Sequence, residues 1–313
     1  MPHHISSVFT LLALMLTAAF ASCGKADKPA EQIASKAPAY DTAAVHLALV
    51  PSADCLPFIY AEETGIYRKL GLRLQLHTYA SQLDCDTALL GGYMDGGYAD
   101  SQRLAQSRFA KAAFTRISQG KDTWQLFISG TLRVKDIAKL SGRIVGIARE
   151  SSDKSFCEAL ITQAHVKADD IYLTQINDVK LRSSMITNRQ IDAAVLRWPF
   201  TSLSLAAGNK LLVSQPSTAV NNIFVQNNRA RRPHLGKSEL ELLRKGYLMA
   251  CDSIQTIRNA TAKDDLQTDK VSALLQKVYA LDAAVADTIK IPTGGFFREK
   301  TGKRPLPNGT DKP

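Results

Sequence analysis

Residues 45–100 read VHLALVPSADCLPFIYAEETGIYRKLGLRLQLHTYASQLDCDTALLGGYMDGGYAD, and the order of patterns in this stretch decides the fold. The run 45–50 is apolar and breaks at Pro51 into the polar loop Ser52-Ala53-Asp54-Cys55. Pro57 then opens a segment, 58–70, of helical character with a Gly-containing end. Leu72-Arg73-Leu74-Gln75-Leu76-His77 alternates apolar and polar residues as a half-buried strand does. A second helix is predicted over 84–91, ending at the pair Gly91-Gly92, and 94–100 follows as a short strand finishing on the carboxylate of Asp100. Strand, helix, strand, helix, strand predicts a parallel sheet with helices on its faces, and such sheets bind ligands in the crevice at the carboxyl ends of their strands. Those ends carry Ser52, Asp54, Ser81, Gln82, Tyr98 and Asp100.

Downstream the pattern repeats. The run 124–129 is apolar, 134–140 reads as a short helix, and 142–148 reads as a buried strand that delivers the chain into Arg149-Glu150-Ser151-Ser152-Asp153. A helix over 153–164 follows, with Ser152 or Asp153 placed to cap it. Hydroxyls and free backbone N–H groups at a helix start, beside Arg149, make an anion cradle; the same residue types also cap surface helices anywhere. A strand over 171–176, a helix over 178–187 and a buried strand over 191–196 come next, and the chain turns through Arg197-Trp198-Pro199. Trp198 at this strand end is read as a flat apolar wall against a ligand, with burial in a core as the alternative. Segments 211–214 and 222–226 read as return strands toward the first lobe, and the helical stripes over 237–259 and 268–289 read as core rather than site.

A chain of 313 residues accommodates two lobes, each with its own core. Its 45% hydrophobic and 22% charged residues are those of a globular protein. The formal charge of +10 favours an anionic partner. Lys and Arg are nevertheless spread along the chain, and the one dense run is Arg229-Ala230-Arg231-Arg232, which argues for a solvated basic surface and against nucleic acid. The expected organisation is a signal peptide over 1–22, a flexible tether over 23–44, the first part of lobe 1 over 45–128, lobe 2 over 129–222, a helical return of lobe 1 over 223–291, and a basic Pro/Gly-rich tail over 292–313 that is disordered or a surface strap.

The first 22 residues carry no Asp, Glu, Lys or Arg, and 8–21 is nearly all apolar, the length of a signal-peptide core and too short to span a bilayer. It ends in Phe20-Ala21-Ser22-Cys23-Gly24, which resembles the lipobox of bacterial lipoproteins. That resemblance implies that Cys23 is acylated, with chains such as palmitate, and that the protein is anchored to a bacterial membrane in the cell envelope, facing the periplasm or the exterior. An ordinary secretory signal is the alternative. The other four cysteines, Cys55, Cys85, Cys157 and Cys251, allow three pairings; Cys55 and Cys85 lie just past strand ends on neighbouring elements and make the most plausible disulfide, with free core thiols as the alternative. No Cys spacing suits a metal, and His46, His77, His165 and His234 show no ligand spacing with one another, so neither metal nor cofactor is expected.

Leu49-Val50-Pro51 with the segment 57–72, then 88–96, 140–147, and 190–196 followed by Pro199, in that order, resemble the NMT1/THI5-like group of type II periplasmic binding proteins. The resemblance covers about residues 45–289. It implies a two-lobed α/β fold, each lobe a mostly parallel sheet flanked by helices, with a hinge of two crossovers. It also implies a substrate-binding lipoprotein of an ABC-type importer that captures a small polar solute (a sulfonate, a nitrate-like anion, a thiamine precursor or a similar heterocycle) and passes it to a permease and its ATPase. In that reading Arg149, Ser151 and Ser152 hold an anionic group from lobe 2. Ser52, Asp54, Ser81, Tyr98 and Asp100 orient the ligand from lobe 1, and Trp198 packs on its apolar part. Two carboxylates in lobe 1 suit a zwitterion or an amine-bearing heterocycle as well as an anion.

The chain departs from the family in two places. Where the family often carries a Glu before the Pro, this chain has Trp198. The Cys-rich motif and His of the iron-dependent pyrimidine-synthase branch have no counterpart. An enzyme on the same fold, of thiamine-precursor or menaquinone-pathway type, and an envelope sensor or docking lipoprotein are the competing functions. No nucleophile, base and orienting group stand together in the sequence, so the expectation is a carrier and not an enzyme.

Overall fold

The computed structural model describes residues 39–106, 113–120, 123–216, 222–259, 265–288, 291 and 295–297. The predicted signal peptide, Cys23, nearly all of the tether and the tail from 298 onward lie outside these residues.

Two five-stranded sheets share one plan. In lobe 1, β1 (Val45–Leu49) runs parallel to β2 (Leu74–Thr78) on one side and to β3 (Gly96–Asp100) on the other. The order is completed as β2-β1-β3-β10-β4, where β4 (Phe114–Gln119) and β10 (Asn222–Asn227) pair with each other and β10 pairs antiparallel with β3. Lobe 2 has β5 (Thr123–Ile128), β6 (Ile144–Ile147), β7 (Tyr172–Gln175), β8 (Ala193–Leu196) and β9 (Lys210–Pro216) in the order β7-β6-β8-β5-β9. Here β6 is parallel to β7 and β8, and β5 is antiparallel to β8 and β9. In each sheet the strand next to the parallel trio is the one that has just crossed from the other lobe.

The first crossover therefore lies before Thr123, not after residue 128: β5 pairs in the second sheet, with Trp124, Leu126 and Ile128 in its core. An apolar run announces burial but not which sheet receives it. For the same reason both candidate return strands looked alike, whereas β9 closes lobe 2 and only β10 returns to lobe 1.

The strands are buried runs where the sheet is covered on both faces, as β1 is along its whole length. β3 begins Gly96-Gly97 because the neighbouring backbones leave no room: a Cβ on Gly97 would lie 2.2 Å from the carbonyl oxygen of Ala48. The predicted helix over 58–70 is two helices, α1 (Leu56–Glu63) and α2 (Ile66–Lys69), since Gly65 between them takes φ 72°, a conformation only Gly adopts freely. Helix α3 (Gln82–Leu90) is capped by the Ser81 hydroxyl, which accepts from Asp84 N at 3.1 Å, and α4 (Ser101–Gln106) continues directly from β3. Lobe 2 holds α5 (Ser152–Gln163), α6 (Val179–Thr187) and α7 (Phe200–Ala206). Helices α8 (Lys237–Asn259), α9 (Asp265–Tyr279) and α10 (Ala283–Thr288) follow β10. No helix among the described residues is long and apolar enough to cross a membrane.

The tail begins as core. Phe296 and Phe297 are buried among Phe58, Phe224 and Tyr247, with ring centroids 5.3–6.2 Å from those of Phe58 and Tyr247. Gly295 N donates to Asp54 Oδ1 at 2.6 Å, Phe296 N to the Tyr247 hydroxyl at 3.2 Å, and Phe297 N to Ser118 Oγ at 2.8 Å. This corrects the expectation of a patternless tail at residues 295–297: two adjacent Phe residues show no periodicity, yet each fills a gap between α8 and the sheet. Cys55, Cys85, Cys157 and Cys251 are all buried free thiols, and Cys85 Sγ donates to Tyr98 O at 3.2 Å instead of bonding to Cys55.

Candidate functional site

The carboxyl ends of β1 and β3 in lobe 1 meet those of β6 and β8 in lobe 2. Asp100, the last residue of β3, is fully buried, and its carboxylate accepts from Ser152 N at 2.9 Å and from Ser152 Oγ at 2.8 Å. Ser152 is the first residue of α5. Ser151 caps that helix one residue earlier than the sequence suggested, accepting from Asp153 N at 3.2 Å and donating to Ala148 O at 2.8 Å. The free N–H groups of a helix start favour an anion, and here the anion comes from the other lobe of the same chain.

Beside it stands a buried ion-pair cluster. Asp153 takes Arg182 Nη1 at 2.6 Å on one oxygen and Arg197 Nη2 at 3.0 Å on the other. Burial alone would raise the Asp153 carboxyl, but the two guanidinium groups outweigh it and hold it below the usual carboxylate range. Arg197 also donates to the Tyr98 hydroxyl at 3.0 Å across the lobes and lies 4.9 Å over the Trp124 ring. In lobe 1, Asp86 pairs with Arg103 at 2.9 Å and accepts from Gln82 Nε2 at 2.8 Å. Burial and then the Asp100 charge nevertheless push Asp86 up to about 8, because the Gln82 hydrogen bond and the Arg103 charge offset only part of them. Arg103 reaches on to the Arg149 carbonyl, and Ser155 Oγ donates to Gln102 Oε1 at 2.5 Å, so the rim too is tied across the lobes.

Between these groups lies a cavity of about 20 Å³, walled by Val50, Pro51 and Gln82 of lobe 1 and by Ser151, Arg182 and Arg197 of lobe 2. Two of its wall residues have a buried polar atom with no partner: Gln82 Oε1, an acceptor, and Arg182 Nε, a donor. A larger groove of about 320 Å³ between α6, α7 and Asp282 contains none of the buried unpartnered polar atoms found among the described residues.

The structure brings together Tyr98, Asp100, Ser151 and Ser152, joins Ser81 to Asp178 of lobe 2, and places Arg149, Trp198, Ser52 and Asp54 apart from them. Arg149 points outward, 63% exposed, and pairs with Glu150 at 3.3 Å. Trp198 sits in the lobe 1 core, edge-on to Tyr279 with ring centroids 5.5 Å apart. Ser52 and Asp54 are buried clamps: the Ser52 carbonyl accepts from the Tyr279 hydroxyl, and the Asp54 carbonyl from the Tyr247 hydroxyl. Ser81 caps α3 and bridges to Asp178. Sequence reasoning missed Arg182, though a signal existed: Val179, Arg182, Ser183 and Ile186 form the buried stripe of α6, and a cation in such a stripe needs a buried partner.

Residues 52–252 match the family model described as NMT1/THI5 like. No curated protein matches the sequence. Among solved structures, the alkanesulfonate-binding protein SsuA from Xanthomonas axonopodis pv. citri bound to MOPS aligns at 14% identity and TM-score 0.62, over 80% of this chain and 83% of that one. The aliphatic sulphonate-binding protein SsuA from Escherichia coli aligns at 17% identity and TM-score 0.58, over 78% and 77%. The nitrate-binding protein NrtA from Synechocystis PCC 6803 aligns at 14% and 0.60, over 84% and 74%. At these identities the likeness is one of fold.

Proposed function

Because the chain belongs to the NMT1/THI5-like family, we propose that it is the substrate-binding component of an ABC-type importer, capturing a small polar solute between its lobes and passing it to a permease and ATPase. The observation that supports this reading is the cavity between the lobes, walled by Val50, Pro51 and Gln82 on one side and by Ser151, Asp153, Arg182 and Arg197 on the other. The free volume suffices for a water molecule, so a solute is held only with the lobes set wider apart about the two crossovers than they are here. Sulfonates, nitrate-like anions and thiamine-precursor heterocycles are the solutes the family resemblance suggests.

The protein is a carrier and not an enzyme in this reading, since Asp100, Asp153, Arg182 and Arg197 are engaged with one another or with helix donors. Cys23 is the acylated first residue of the mature chain, and the tether holds the body off a bacterial membrane in the envelope.

Native mass spectrometry of a form starting at Lys25 tests the binding reading. A retained solute in the parent, lost in Gln82→Ala, supports it. A parent that retains nothing, and that no candidate solute stabilises any more than it stabilises Gln82→Ala, overturns it.

A further inference from the structure

We infer that the amino end of lobe 1 is a docking surface for anionic phospholipid, on which Arg229, Arg231, Arg232 and Tyr93 seat the body beside its own lipid anchor. For that anchor the inference rests on the acylation of Cys23 in the reading above. The amino ends of β1 and β3 and the carboxyl end of the antiparallel β10 lie together, opposite the junction with lobe 2. Asp95, just before β3, binds this end into one piece: its carboxylate accepts from His46 N at 2.8 Å and from His234 N at 2.7 Å. His46 belongs to β1, and His234 closes the loop after β10 that carries the arginines. Asp41, where the chain enters the body, is held at the same end, its carbonyl oxygen 2.8 Å from His46 Nε2 and its N–H donating to Gln75 Oε1 at 2.9 Å. Whatever its course, the tether to Cys23 is therefore joined to the body at the end that carries the arginines.

That loop is both anchored and exposed. Arg231 N donates to Gly92 O at 2.9 Å and Arg229 N to Asn227 Oδ1 at 3.0 Å. The Arg231 guanidinium lies 4.2 Å over the ring of Tyr93, which is 53% exposed. Arg229, Arg231 and Arg232 are themselves exposed, and Leu90 adds a second exposed apolar side chain. Glu239, the one carboxylate between Asn228 and Leu240, is turned to its own helix start, accepting from Gly236 N and the Ser238 hydroxyl. Three cations around a tyrosine suit a headgroup layer, since the charges attract anionic lipid and a tyrosine favours the boundary between water and acyl chains. The charges alone would suit an acidic protein as well; the anchor at the same end is what favours lipid. From Cys23 to Asp41 the chain spans at most roughly 60 Å, so acylation keeps this end within reach of the bilayer. Seated so, lobe 1 carries the junction between the lobes away from the bilayer, toward arriving solute.

The test uses the mature chain, residues 23–313, with Cys23→Ser so that no acyl chain contributes, in flotation with vesicles of phosphatidylcholine alone or mixed equally with phosphatidylglycerol. The expected result is flotation with the anionic vesicles only, lost as salt is raised from about 0.1 to about 1 M. Each arginine at an anionic surface changes affinity about fivefold, so Arg229→Gln with Arg231→Gln and Arg232→Gln should weaken binding on the order of a hundredfold. Arg133→Gln with Lys135→Gln and Lys139→Gln removes as much charge from exposed positions of lobe 2 and should leave binding nearly unchanged. An equal loss in both triple variants, or equal flotation with neutral vesicles, overturns the docking surface. Failure to bind the anionic vesicles overturns it too, and poly-glutamate retained in their place assigns the patch to an acidic protein. The intact mass of the protein extracted from its membrane reports on the acylation of Cys23 separately: an unacylated chain that still floats with anionic vesicles leaves the surface standing and removes only the anchor.

Discussion

Asp100 at the end of β3 and Ser152 at the start of α5 belong to different lobes and are joined by two hydrogen bonds, from the Ser152 N–H and hydroxyl to the Asp100 carboxylate. The two lobes are thus joined by a charge-assisted contact at a helix N-terminus.

Ser152→Ala removes one of those two bonds and leaves the other. A hydrogen bond to a charged group contributes about 1.5–3 kcal/mol, so the variant should favour the open lobes by that order and show a larger radius of gyration in X-ray scattering. An unchanged scattering profile would remove the contact from the closing mechanism.

Asp153→Ala leaves Arg182 and Arg197 buried without their shared carboxylate. Breaking a buried ion pair from one side costs about 3–5 kcal/mol. The urea midpoint should fall accordingly, and Asp153→Asn should fall nearly as far, because the amide keeps the shape but not the charge.

Asp86 makes stability depend on pH in the opposite sense from an ordinary paired carboxylate. Its folded value, raised from 3.8 to about 8 by burial and then by Asp100, means the folded chain keeps a proton that the unfolded chain has released. Stability from this group falls as pH rises between those two values, by at most about 1.4 kcal/mol per pH unit. In Asp86→Asn that loss disappears, so the parent and variant unfolding curves should diverge with rising pH. Curves that stay parallel from acid to pH 8 contradict the assignment.

Phe296→Ala empties a fully buried site bounded by Phe58, Tyr98, Phe224 and Tyr247. Truncating a core Phe costs about 3–5 kcal/mol, so thermal unfolding should shift down by several degrees or more. A loss of less than about 1 kcal/mol is what a solvated tail would show.

Most of the element order was legible because period-two alternation, apolar runs and Gly or Pro breaks are local properties. β1, β3, β6, α5, α6 and α8 all lie within a few residues of where pattern places them. β4 and α7 were not legible: Phe114–Gln119 alternates poorly, and Phe200–Ala206 is a short helix without a distinct stripe. The strand-end residues Tyr98, Asp100, Ser151 and Ser152, picked by the rule that ligands meet parallel strands at their carboxyl ends, do come to the junction of the two lobes. Arg149 and Trp198 follow the same rule, yet one is exposed and the other sits in the lobe 1 core, since the rule gives a residue's position along the chain but not which way its side chain turns.

The sequence by itself determined that two sheets of mostly parallel strands would form and that their carboxyl ends would face one another. Only the tertiary structure decided what those ends do there. It turned Asp100 into the anion that α5 holds, matched Arg182 and Arg197 to one carboxylate, and left Gln82 and Arg182 each with a polar atom to satisfy. Charge pairing of this kind depends on distances between residues 29 to 52 positions apart, and those distances are set by how the sheets pack, not by any local pattern.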